Sequence, residues 1–145
     1  MILYLDTSAL VKLYAEEDGS DLVRQGVRDS DLIATSLMSY AETRSALARK
    51  NRSHEISRPA YTRCKREFDR DWLRLHRLPV DELLVRKAGE FAEQHALRAL
   101  DALHLATADS LQVALRDEVT FACFDDTLNG AAEARGFALL SRWQG

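Results

Sequence analysis

Cysteine is scarce in this 145-residue chain, with only Cys64 and Cys123, far apart. They suggest no disulfide framework, no Cys/His spacing describes a zinc site, and the pair suits a reducing compartment. No apolar run reaches membrane-spanning length, and no basic segment precedes an apolar stretch at the N-terminus. The sequence therefore reads as that of a cytosolic protein. Internal repeats, low-complexity tracts and linkers are absent too, so one domain over residues 1–145 is expected. A chain of this length buries roughly 68–70% of its unfolded surface, so a core needs no staple.

Charge is plentiful, and unevenly placed. Residues 44–77 hold eleven Lys/Arg against four acids, a surplus of seven, while the whole chain carries −3. A basic block in an otherwise acidic protein raises the question of a polyanionic partner. The plainer alternative is a solvated helical face with local pairs such as Arg63–Glu67, each worth about 0.3–0.5 kcal/mol. Arg44, Arg49 and Arg52 can lead a strand of nucleic acid, and Tyr61 and Trp72 can stack on bases. For Trp72, core packing or a partner interface is the expected role.

The opening MILYLDTSAL contains a short apolar run, ILYL, of the kind found in a strand buried on both faces. LIAT (32–35), RLPV (77–80), VTFACF (119–124) and FALL (137–140) are further strand-like runs. Between them lie helical patterns: ALVKLYAEE, GSDLVRQGVRD, MSYAETRSALARKNR with Ser36 or Ser39 as cap, residues 59–75 with Pro59 in the first turn, and DELLVRKAGEFAEQHA capped by Asp81. LDALHLATADSLQVAL is apolar on most faces and is expected to be buried. TLNGAAEARG closes the series. Alternation of this kind predicts an α/β fold with a central parallel sheet flanked by helices on both sides. The basic block falls on a helical hairpin.

Ligands of open parallel sheets bind beyond the carboxyl ends of the strands. Asp6 ends the first strand, Asp125 the fourth, Glu42 follows LIAT by a short helical stretch, and Asp101 opens the apolar helix. Four carboxylates converging there repel one another unless a cation lies among them. Oxygen donors of this type suit Mg²⁺ or Mn²⁺, ions that polarise phosphodiesters and activate water. Each acid also has a plainer reading: Asp6 or Asp101 as a helix cap, Glu42 as a solvated helix residue, Asp125 and Asp126 as a turn. Their joint placement favours the metal site. His104, one turn after Asp101, reads as a buried histidine with a backbone partner, and Ser8 as a lesser candidate beside Asp6. His54, His76 and His95 show no ligand spacing.

LYLDTSALVKLY, SLMSYAETRSAL, LRALDALHLATA and FACFDDTLNGAAEARG carry a family pattern in family order. With them the sequence resembles the PIN-domain nucleases, particularly the toxins of VapB–VapC toxin–antitoxin pairs. The resemblance implies a PIN-like α/β fold, ribonuclease activity, a Mg²⁺ or Mn²⁺ cofactor, a VapB-like antitoxin partner and a homodimer. By position it carries the acidic quartet to Asp6, Glu42, Asp101 and Asp125. The last segment departs from the pattern: Cys123 stands where a Thr or Ser is frequent, and Asp126 is a second candidate for the fourth acid.

Other classes fit less well. A haloacid-dehalogenase-type phosphatase needs an aspartate where Ser8 stands. A receiver domain needs an acidic pair after its first strand, and a flavodoxin-like binder a glycine-bearing phosphate loop that DTSALV lacks. The remaining rivals are an RNA-processing PIN nuclease without an antitoxin and a catalytically silent PIN-like binding module.

Overall fold

The computed structural model describes Met1–Gln144. Five strands, β1 (Ile2–Leu5), β2 (Leu32–Ser36), β3 (His76–Leu78), β4 (Val119–Ala122) and β5 (Ala138–Leu139), form one parallel sheet in the order β3-β2-β1-β4-β5. β1 lies at the centre, with Leu3, Tyr4 and Leu5 all fully buried. Because successive side chains of a strand point to opposite faces, this one run feeds two cores. Tyr4 joins Ala34, Phe121 and Leu105 on one face, while Leu3 and Leu5 join Leu10, Leu47 and Phe68 on the other.

The first core is covered by α5 (Glu82–His95), α6 (Ala99–Leu115) and α7 (Asp126–Ala134). The second is covered by α1 (Thr7–Val11), α2 (Ser20–Arg28), α3 (Ser39–Arg52) and α4 (Arg58–Trp72). The α/β class and the flanked parallel sheet expected from the sequence are both present. α6 is buried through its middle, from Ala102 to Ala108, but Leu100 and Val113 near its ends are exposed. No helix among the described residues is long and apolar enough to cross a membrane.

Several local expectations change. α1 starts at Thr7, where Asp6 caps it through Ala9 N, and ends at Val11, earlier than its apolar pattern suggested. β4 stops at Ala122, and β5 has two residues before a 3₁₀ turn over Leu140–Arg142. Neither Ser36 nor Ser39 caps α3. Met38 occupies the cap position; Ser36 Oγ accepts from Met38 N, and Ser39 Oγ bonds the Thr35 hydroxyl at 2.7 Å. Both serines are fully buried, so they satisfy the polar groups at the end of β2. Asp81 and Ser57 do cap α5 and α4 through the backbone N–H groups of Leu84 and Ala60.

α3 and α4 form the basic hairpin, held to the sheet by Tyr14, Tyr40, Phe68 and Trp72, whose rings meet at centroid distances of 5.3–5.6 Å. Trp72 is a core residue, as expected. Gly19 precedes α2 with φ of +93°, and a Cβ there would lie 2.5 Å from the Phe124 ring. Glycine thus lets the α1–α2 loop approach the turn after β4.

Candidate active site

β1 and β4 are neighbours, with Leu5 opposite Ala122, and Asp6 N donates to Ala122 O at 3.1 Å. The sheet therefore sets Asp6 beside the turn that carries Asp125. Asp6 is only 4% exposed. Its Oδ1 accepts from Ala9 N at 3.0 Å and from the Ser8 hydroxyl at 2.7 Å. Ser8 Oγ in turn accepts from Phe124 N at 3.2 Å, which ties Asp6 to the β4–α7 turn. So Asp6 is a helix cap, but capping occupies one oxygen only. Burial raises its pKa; His104, Ser8 and Ala9 N oppose that rise, and the charge of Asp101 adds to it.

Glu42, in the first turn of α3, shows the same division. Oε1 accepts from the Thr7 hydroxyl at 2.8 Å and lies 2.9 Å from His104 Nε2. Burial disfavours the charged carboxylate, but His104 and Thr7 outweigh it and hold the group below its ordinary range. Asp125 caps α7 by accepting from Leu128 N at 2.8 Å through Oδ2. In all three acids one oxygen is fixed by protein donors and the other has none among the described residues. Asp101, half-buried in the first turn of α6, is not that helix's cap, a position Arg98 holds; its Oδ2 is 3.5 Å from Arg98 Nε.

Asp126 is exposed and faces a separate depression with Asn129, Glu133 and Arg142. Cys123 reports on the other acids. Burial pushes its thiol up, and the charges of Asp6, Asp125 and Asp101 add to this, so Cys123 is a neutral, inert thiol. Its Sγ donates to the Asp125 carbonyl at 3.4 Å. Asp6 is tied to the β4–α7 turn through Ser8 and Phe124 N, and Thr7, the next residue, bonds Glu42.

A cleft of about 700 Å³ has Thr7, Ser8, Glu42 and Asp101 in its wall, whereas Asp6 and Asp125 do not line it. Among the described residues no group of three or more His, Cys, Asp or Glu side chains is placed to hold a metal ion. The donor set instead suits an ion that takes one or two carboxylates and fills its remaining positions with water and substrate oxygens, the habit of Mg²⁺. Lys12, Arg49, Lys50 and Arg98 also line the cleft. Glu17 engages both lysines, at 2.9 and 2.6 Å. Arg49 makes no ion pair among the described residues. Arg44 is turned away, donating to the Tyr40 hydroxyl at 2.8 Å and facing Asp69 at 3.7 Å.

Residues 3–135 match the family model described as PIN domain. The chain belongs to the PIN-domain family. It is similar to Ribonuclease VapC46 of Mycobacterium tuberculosis (strain ATCC 25618 / H37Rv), with 35% identity over 139 residues covering 96% of each chain. It is 32% identical to Ribonuclease VapC49 of the same strain over 136 residues, 93% of this chain and 92% of that one. Among solved structures, FitAcB from Neisseria gonorrhoeae superposes with a TM-score of 0.68 at 18% identity, over 98% of this chain and 100% of that one. VapBC2 from Rickettsia felis, bound to a DNA fragment from its promoter, gives 0.61 at 16% identity, over 96% of this chain and 97% of that one. These two likenesses concern the fold.

Sequence reading of this PIN domain missed the surroundings of His104. A backbone partner was expected, but the ring is bonded to side chains: Tyr4 Oη lies 2.9 Å from Nδ1, and Glu42 and Thr7 meet Nε2. The four residues come from β1, α1, α3 and α6, so no local spacing announces them. The apolar context of His104 was the one available signal.

Proposed function

We propose that this PIN domain is a metal-dependent endoribonuclease acting as the toxin of a type II toxin–antitoxin pair, with Asp6, Glu42, Asp101 and Asp125 as its acidic residues. The observation that carries the reading is the divided commitment of Asp6, Glu42 and Asp125, each held by protein donors through one oxygen at the same sheet edge. Relatives named Ribonuclease VapC support the substrate class. A structural neighbour that is a toxin–antitoxin complex from Klebsiella pneumoniae supports the partner class. The antitoxin would be VapB-like, the toxin a homodimer, and the compartment the cytoplasm.

A bound Mg²⁺, with Mn²⁺ as substitute, would supply positive charge to polarise the phosphodiester. Asp6, Asp101 and Asp125 would hold it, with Glu42 as a further ligand or as the group that orients the attacking water. Ser8 and Ala9 N fix Asp6, and Leu128 N fixes Asp125, so these carboxylates need little reorganisation. Arg49 and Arg98 line the cleft and would hold phosphates flanking the reacting one. Water would add to phosphorus and one P–O bond would break, one proton of the water ending on the departing oxygen as a hydroxyl and its oxygen remaining on the phosphate. Asp125 is preferred to Asp126 as the fourth acid because Asp126 faces another surface depression.

The test is cleavage of a mixed pool of structured RNAs by purified protein in Mg²⁺, Mn²⁺ or EDTA, beside Asp101→Asn shown to be folded. Cleavage should require the metal and fall at least about 100-fold in the variant, the scale on which one preorganised charged group acts. Equal activity in both proteins removes Asp101 from the site. Failure to cleave together with failure to bind Mn²⁺ favours a silent binding module.

A further inference from the structure

A chain of hydrogen bonds runs from the middle of the sheet to the cleft. Tyr4 Oη lies 2.9 Å from His104 Nδ1, and His104 Nε2 lies 2.9 Å from Glu42 Oε1. The Thr7 hydroxyl donates to the same carboxylate oxygen at 2.8 Å and sits 3.2 Å from Nε2. Tyr4 is fully buried and His104 is 2% exposed, so neither ring reaches the cleft. Neither can touch a substrate there.

The proton arrangement follows from the partners. The Tyr4 phenol and the His104 imidazole are each buried and bonded to the other at 2.9 Å. The Glu42 carboxylate only accepts, so Nε2 carries a hydrogen aimed at it, while the Tyr4 hydroxyl holds Nδ1 from the other side. Glu42 has three rotatable side-chain bonds and stands at the mouth of the cleft, where an unanchored carboxylate samples several rotamers. Both of its bonds fall on Oε1, which turns inward, and Oε2 has no protein donor among the described residues. An aromatic pair serving only to fill the core would have no need of a phenol and an imidazole, whose burial is unfavourable unless fully bonded.

We propose that Tyr4 and His104 are positioning residues: a buried relay that fixes the Glu42 carboxylate with Oε1 committed inward and Oε2 presented to the cleft. Its consequence for cleavage rests on the ribonuclease reading, and its geometric half does not. Thr7 completes the clamp from α1, so donors from two elements, α1 and α6, converge on one oxygen.

The test combines crystal structures of the whole protein with single-turnover kinetics on RNA. His104→Gln can place an amide N–H near the position of Nε2, whereas His104→Ala removes the donor and Tyr4→Phe removes only the hydroxyl that holds Nδ1. Glu42 should keep one carboxylate conformer in the wild type and His104→Gln, and should turn or split in His104→Ala and Tyr4→Phe. His104→Ala should lower kcat about 10–100-fold, the range for residues that orient a ligand from behind. KM should stay within about twofold, as expected when substrate binding is untouched. His104→Gln should recover most of the loss, and in a Glu42→Gln background His104→Ala should cost little more.

An unmoved Glu42 in both His104→Ala and Tyr4→Phe overturns the relay. So does an undiminished loss of kcat in the Glu42→Gln background, which assigns the effect to core damage. Should His104→Ala fail to fold, the near-isosteric Tyr4→Phe carries both readouts. A wild-type protein that cuts no RNA, with Glu42 turning in the variants, overturns the ribonuclease reading and leaves the positioning role standing.

Discussion

A carboxylate that is 4% exposed and faces a second acid is an unfavourable group to fold around. Asp6 is that group. Its Oδ1 is satisfied by Ser8 and Ala9, and asparagine could keep Oδ1 in place as an acceptor. Asp6→Asn should therefore stabilise the protein in EDTA, each 1 kcal/mol appearing as a rise of about 2–4 °C in Tm. Divalent ion at about tenfold above its Kd should raise the wild-type stability by about 1.4 kcal/mol and leave Asp6→Asn unchanged. Cleavage should be lost in the variant. Thermal melts with EDTA and with Mg²⁺ measure both effects, and a variant less stable than wild type in EDTA would show that the Asp6 charge is not the strained element.

Among elements, legibility followed locality. ILYL, LIAT and VTFA were readable because a central parallel strand is apolar on both faces, and Asp81 was readable because a cap acts within four residues. Ser36 and Ser39 do not cap α3 because Ser36 bonds Met38 N and Ser39 bonds Thr35 of β2, and the bonds of His104 were invisible because they join residues up to 100 positions apart. The places of Asp6 after β1 and of Asp125 at the start of α7 were legible through strand ends. The charge network of the cleft wall was not: Glu17, just beyond α1, bridges Lys12 and Lys50 of α3. Burial opposes ionisation of Glu17, but its bonds to Lys50 and Lys12 prevail and hold the carboxyl below its ordinary range. A depressed carboxyl contributes stability that is complete above the unfolded pKa, about 4.3, and is lost as pH falls through the folded value. Glu17→Gln should thus destabilise at pH 7 by less than about 1 kcal/mol, since the group is partly solvated. The gap should close as the pH falls well below 4, as urea titrations of both proteins can show; a gap constant down to pH 3 removes the ion pairs as its cause.

The whole molecule is electrically lopsided, with a surplus of seven positive charges in residues 44–77 and a deficit elsewhere. The structure divides that block. α3 sends Arg49 to the cleft, whereas no residue of α4 lines it, and Arg63 faces Glu67 at 4.0 Å on its own helix. At physiological salt, charges more than about 8 Å from a phosphate are largely screened, so a net surplus matters for RNA only where side chains reach the strand. Binding measured in Ca²⁺, an ion chosen to occupy carboxylates without promoting cleavage, should therefore weaken with salt according to a few local contacts. Each phosphate contact on single-stranded RNA contributes a slope of about −0.7 in log K against log salt. Arg49→Gln and Arg98→Gln should each reduce the slope's magnitude by about that amount, and an α4 variant with Arg63, Lys65 and Arg66 all changed to Gln should keep the wild-type slope. A reversed ranking would move the RNA path onto the outer face of the hairpin. Unchanged RNA binding in all three variants, with loss of antitoxin binding in the α4 variant, would give that face to the protein partner and leave the cleft to be entered by neutral contacts.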